Sequence, residues 1–171
     1  DLKYIVHTHG HIDHFGGTRA LVELTGAKTF IGEQDRQYAN GELDLSYAKE
    51  LDMEYNETFE PDVLLHDGDT ITLGNTEIKC IATPGHTPGG VSFYERSEKV
   101  LFSGDTLFAG AIGRTDHPGG DYDRLMESIF TKLLHLEGDT RVIPGHGPCS
   151  EIATERMTNP FLMPFNEPYE E

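Results

Sequence analysis

Three things are scarce in this chain, and each scarcity closes off a class of protein. Cysteine occurs only at Cys80 and Cys149, far apart and outside any Cys-x-x-Cys, so no disulfide framework staples a small secreted scaffold. Cys80 lies in an apolar run and reads as a small core residue, and a reducing cytoplasm is the expected setting. Long apolar runs are missing as well: no 18-residue window could span a bilayer, and no basic-then-apolar leader opens the chain. Basic residues are outnumbered, with 13 Lys and Arg against 30 Asp and Glu, a formal net charge of −17. Nucleic-acid phosphates would be repelled over most of such a surface, so neither nucleic acid nor membrane is an expected partner.

What remains is a globular composition, 36% hydrophobic over 171 residues, the size of a single domain spanning 1–171. Leu2–His7 reads as a buried strand, Thr18–Leu24 as a helix stopped by Gly26, and Lys28–Ile31 as a second strand. Glu33–Asn40 looks helical, and Glu42–Glu60 reads as an acidic surface excursion. Asp69–Leu73 and Glu77–Ala82 flank Gly74-Asn75 as a hairpin, and Gly90–Tyr94 with Val100–Phe102 form another. Leu125, Met126, Ile129, Phe130, Leu133 and Leu134 follow helical spacing within Tyr122–Leu134. Arg141–Ile143 is a last strand, Ile152–Met157 a last helix, and 159–171 an irregular tail. This order predicts an α/β fold of mixed sheets covered by helices.

Four of these strands share an ending. LKYIV runs into HTHGHIDH, IKCIA into TPGH, VLF into SGD and RVI into PGH. Strands ending along one edge would gather these loops there, bringing together His9, His11, Asp13, His14, His86, Asp105 and His146. A lone strand-end His or a Gly-Asp turn has an ordinary structural explanation. Seven such residues, with four inside His9–His14, have the composition of a metal centre. Seven ligands are too many for one ion and suit two. His9, His11 and His86 would take the first, Asp13, His14 and His146 the second, with Asp105 bridging. Room left for a shared water marks a catalytic rather than a closed structural site. His7 reads as core or as a support behind the ligands, and His66 and His135 as surface. No strand places His117, which is left out of the site.

The pieces THGHIDH, TPGHTPGG, FSGDTLF, GRTDHPGGD and PGHGP resemble the metallo-β-lactamase superfamily and, within it, the glyoxalase II (hydroxyacylglutathione hydrolase) group of short bacterial type. The resemblance implies an αββα sandwich, the same division of ligands, and two divalent ions, with Zn2+ expected and Fe or Mn able to replace it. It implies hydrolysis of a small thioester such as S-lactoylglutathione by a metal-bridging hydroxide, with Asp13 and Asp105 holding the ions and hydrogen-bonding the nucleophile. Phe108 and Ile112 would line the acyl pocket or serve as ordinary core, and Arg114 with Asp116 would form a structural pair under the site. Family members carry strands ahead of the first motif. Here only Leu2–His7 precedes it and the chain opens on Asp1, so the first N-terminal strands are expected to be missing. The C-terminal helical domain that binds glutathione in long members is likewise expected to be missing. Alternatives within the superfamily are a mononuclear-iron persulfide dioxygenase built on His9, His86 and Asp105, and an RNA-processing nuclease, which the charge opposes. A metal-bound, non-catalytic interaction protein is the alternative from another class.

Overall fold

The computed structural model describes residues 1–43 and 58–163. Most of the expected acidic excursion and the end of the tail lie outside the described residues. In chain order the elements are β1 (Tyr4–Val6), α1 (Ile12–Phe15), α2 (Thr18–Thr25), β2 (Lys28–Gly32), a 3-10 turn (Glu33–Asp35), α3 (Arg36–Ala39) and β3 (Val63–Leu65). The chain continues through β4 (Thr70–Leu73), β5 (Thr76–Ala82), β6 (Val91–Glu95), β7 (Val100–Gly104), β8 (Leu107–Phe108) and β9 (Ala111–Ile112). It closes with α4 (Tyr122–Thr131), a 3-10 turn (Leu133–His135), β10 (Arg141–Pro144), β11 (Ser150–Glu151) and α5 (Ile152–Thr158).

These strands make two main sheets, a parallel one ordered β1-β2-β3 and a mixed one ordered β11-β10-β7-β6-β5-β4. Successive side chains on a strand point to opposite faces, and here the two faces meet different partners. Cys80 and Phe93 pack with Phe30, Leu65 and Val91 between the sheets. Their neighbours Ile81 and Tyr94 pack with Leu125, Ile129 and Leu133 beneath the helices. At the far flank, His7 ties the end of β1 to α2: its Nδ1–H donates to Phe30 O at 2.8 Å, leaving Nε2 to accept from Thr18 Oγ1 at 2.7 Å. The result is the expected αββα sandwich, although only the larger sheet is mixed and the smaller one is parallel among the described residues.

Strand direction explains why the ligand-bearing loops meet. β6 is antiparallel to both β5 and β7, so β5 and β7 run the same way, and β10 is parallel to β7. The C-terminal ends of all three therefore share one edge. β1 joins that edge from the other sheet, since Val91, just past the β5 loop, donates its N–H to Thr8 O at 2.8 Å.

Several elements depart from the sequence reading. β3 was not expected, and neither was the small β8–β9 hairpin. The helix expected over Tyr122–Leu134 ends at Thr131, because Lys132 leaves helical geometry (φ −121°, ψ −59°) and the chain tightens into a 3-10 turn. Among the described residues no helix is long and apolar enough to cross a membrane.

Candidate metal centre

All seven side chains predicted from the strand-end loops converge at this edge. His9 and His11 hang from the loop after β1, and Asp13 and His14 from the single turn of α1 that follows. His86 comes from the loop after β5, Asp105 directly follows β7, and His146 lies just past β10. In three sets the donor atoms lie within 4.8 Å of one another: His9, His11 and His86; His9, His14 and Asp105; and Asp13, His14 and His146.

The spacing within these sets is close. His11 Nδ1 lies 3.0 Å from His86 Nε2, and His14 Nε2 lies 3.1 Å from His146 Nε2. His14 and His146 present Nε2 to Asp13 Oδ2 at 3.3 and 3.2 Å. Asp105 faces both groups, with Oδ1 at 3.4 Å from His14 and Oδ2 at 3.6 Å from His86 and 3.5 Å from His146. Donors bound to one tetrahedral ion at about 2.0–2.1 Å would lie about 3.3–3.4 Å apart. The distances here cluster around that value. His9 Nε2 and Asp105 Oδ1 are buried with no hydrogen-bond partner among the described residues, an expensive state for polar atoms unless something else binds them. Gly145 keeps the space open, for a Cβ there would collide with Asp105 Oδ1 and lie 2.7 Å from His14 Cε1. The donor set of imidazoles and carboxylates suits a borderline divalent metal. The residues therefore fit such ions.

Protonation follows from surroundings. Burial, reinforced by neighbouring imidazoles, pushes His9 well below its usual range, His11 down to about 3 and His86 down to about 4. All three are neutral at pH 7 and offer a lone pair. The Arg114 carbonyl accepts from His86 Nδ1–H at 2.8 Å, which fixes the tautomer and leaves Nε2 free to coordinate. In the other group, burial opposes charge on both His14 and Asp13 but is outweighed by their pairing. His14 is raised by Asp13 and Asp105, and Asp13 is drawn down to about 2 by His14 and His146. Burial raises Asp105, against the pull of His14 and His146.

A cleft of about 350 Å³ opens over the cluster, with Phe108 and Ile112 on its apolar wall. Arg114 and Asp116 do pair, at 3.0 Å, but at the exposed rim rather than beneath the site. Sequence reasoning missed His117. It lines the cleft, and its Nε2 lies 3.4 Å from His86 Nδ1. Its loop is pinned by Asp121 N–H donating to Gly85 O at 2.8 Å, while the Asp121 side chain caps α4 by accepting from Arg124 N–H at 3.0 Å. That long-range tie has no local signal beyond the Asp at a helix start.

Fold and cluster together define a metallo-hydrolase architecture, and the chain belongs to the metallo-beta-lactamase superfamily, whose family model matches residues 1–146. Members of this superfamily bind divalent metals. The chain is 38% identical to "Hydroxyacylglutathione hydrolase GloC" of Haemophilus influenzae, over 95% of its own length and 76% of that protein. Among solved structures it resembles BLEG-1, described as a B3 metallo-beta-lactamase (TM-score 0.86, 36% identity, 94% of this chain and 77% of that one). It also resembles TTHA1623 in a di-iron-bound form (TM-score 0.83, 36% identity, 93% of this chain and 77% of that one).

Proposed function

We propose that this protein is a dinuclear metal-dependent hydrolase of small thioesters, with a glutathione-derived thioester as its substrate class. The observation that carries the reading is the convergence of seven donors at coordination spacing beneath a cleft with an apolar wall. The name of the Haemophilus influenzae relative supports the choice of thioester.

His9, His11 and His86 would hold one ion and Asp13, His14 and His146 the other, with Asp105, which faces both groups, shared between them. When bound, the ions supply a water acidic enough to ionise near neutral pH and a Lewis acid for the thioester carbonyl. The chain's own groups do the rest. Asp13, ionised at pH 7, accepts a hydrogen bond from the attacking water and orients it. Phe108 and Ile112 receive the acyl group and keep bulk water from it, while the exposed rim beside His146 admits the thiol carrier.

Zinc would suit the nitrogen-rich half, and the di-iron form of TTHA1623 makes iron the competing occupant. A single-iron oxygenase site on His9, His86 and Asp105 would leave Asp13, His14 and His146 without a task, although their donors approach within 3.1–3.3 Å. The deciding assay is anaerobic hydrolysis of S-lactoylglutathione by protein of measured metal content, with and without chelator. Chelator-sensitive release of the thiol is expected. Metal-loaded protein that leaves the thioester intact, yet consumes oxygen with glutathione persulfide, would reverse the reading.

A further inference from the structure

Beneath the three buried imidazoles lies a carboxylate that the proposed reaction does not use. Asp35 is 0% exposed and accepts three hydrogen bonds. Gly10 N–H and Thr87 Oγ1–H donate to Oδ2 at 2.8 and 2.6 Å, and Gly89 N–H donates to Oδ1 at 2.6 Å. Gly10 separates His9 from His11, and Thr87 follows His86. The two loops arrive from different sheets, yet one side chain binds both. The approach is tight enough to require glycine at residue 89, where a Cβ would lie 2.7 Å from Asp35 Oδ1. Tyr38, also buried, backs the same loop, since a Cβ on Gly10 would sit 2.7 Å from Tyr38 Cβ.

A buried carboxylate is costly for a fold, and apolar residues of similar volume would often serve stability as well or better. Its cost is understandable where it fixes the relative position of groups that must converge. We propose that Asp35 is a positioning residue for the buried half of the centre: by clamping the His9–His11 loop to the His86 loop, it presets three imidazoles for one ion. The Asp13–His14–His146 half does not depend on this clamp. Burial pushes the Asp35 carboxyl up to about 6 although its three donors pull the other way, so it is ionised at pH 7. The inference rests on the reading that these side chains hold metal.

The test is a Zn2+ titration of metal-free protein, in competition with a chromophoric chelator and in two backgrounds. His146→Ala leaves the buried half to bind alone, and His86→Ala leaves the open half. Loss of an outer partner of a metal site commonly weakens affinity roughly 10–100-fold. Asp35→Asn is expected to do so in the His146→Ala background, and to change affinity by less than about threefold in the His86→Ala background. Equal losses in both, or none in the first, would overturn the proposal in favour of a general structural role. Should Asp35→Asn fail to fold by near-ultraviolet circular dichroism, Thr87→Val removes a single donor. It is expected to weaken the buried half about 2–10-fold, with affinity restored in Thr87→Ser; unchanged affinity would again overturn the clamp. The unmutated chain serves as control. Its failure to bind Zn2+ would sink the metal reading itself, whereas normal binding unaffected by Asp35 would sink only the clamp.

Discussion

The two halves of the centre are built differently. His9, His11 and His86 are 2%, 4% and 8% exposed, all neutral imidazole, and braced from behind by Asp35 and the Arg114 carbonyl. On the other side, the His146 and Asp13 side chains are 57% and 34% exposed, and the group mixes imidazole with an ionised carboxylate. One half is set by the core. The other is a set of side chains meeting over solvent. On the proposed reading, one ion would be held by preorganisation and the other presented to the substrate.

Asp105, which faces both halves, gives the largest expected effect: Asp105→Ala should lower thioesterase activity about a thousandfold or more and bring bound metal below two ions per chain. A folded variant with two ions and near-normal turnover would remove the bridge between the halves. Next come the matched variants His9→Ala and His146→Ala, read by thermal unfolding of metal-free protein. His9→Ala opens a buried space and should cost about 2 kcal/mol, whereas His146→Ala should change stability by less than about 0.5 kcal/mol. Equal losses would mean that the two halves are braced alike. Chelator added to loaded protein should then strip metal in two phases, the faster one lost in His146→Ala. A single phase would erase the contrast.

A smaller effect is expected from pH. Asp35 is raised in the folded protein from 3.8 to about 6, so between these values the native state holds a proton that the unfolded chain has released. Its contribution is therefore full below about pH 4 and is lost as pH rises through 6, by about 3 kcal/mol from the size of that shift. The buried imidazoles His9, His11 and His86, held low, shift stability the opposite way over this range. The decline should therefore be read as the difference in urea unfolding between metal-free protein and its Asp35→Asn variant, pH by pH. The smallest effect belongs to the rim, where Asp116→Ala breaks an exposed pair with Arg114 and should change stability by less than about 0.5 kcal/mol.

The parts of this arrangement that could be read from sequence are those carried by neighbours in the chain. Each strand-end ligand stands next to its own apolar strand, as with IKCIA before TPGH, so strand and donor were found together. The parallel course of β5, β7 and β10 followed only in outline, since the sequence shows where strands stop but not which way they run. β3 escaped because Val63–Leu65 is three residues long and acquires its meaning from pairing with Phe30–Gly32. His117 and Asp35 escaped for a related reason. His117 reaches the cleft because Asp121 bonds to Gly85, and Asp35 binds residues 25 to 54 positions away, so neither leaves a local pattern. His11-Ile12-Asp13-His14 was read as a ligand run without the turn of α1 that swings Asp13 and His14 away from His11.

The contact between His14 and His146 joins positions 132 residues apart. At roughly 5–20 residues per second, a ribosome would make the first four donors about 7–26 s before the last. Through that interval the His9–His14 run is a flexible ligand with no enforced geometry, and such a ligand follows the intrinsic affinity series in which copper outranks zinc and iron. Only the finished edge can impose its own selection. The order of synthesis thus makes metal choice a matter of timing as well as of shape.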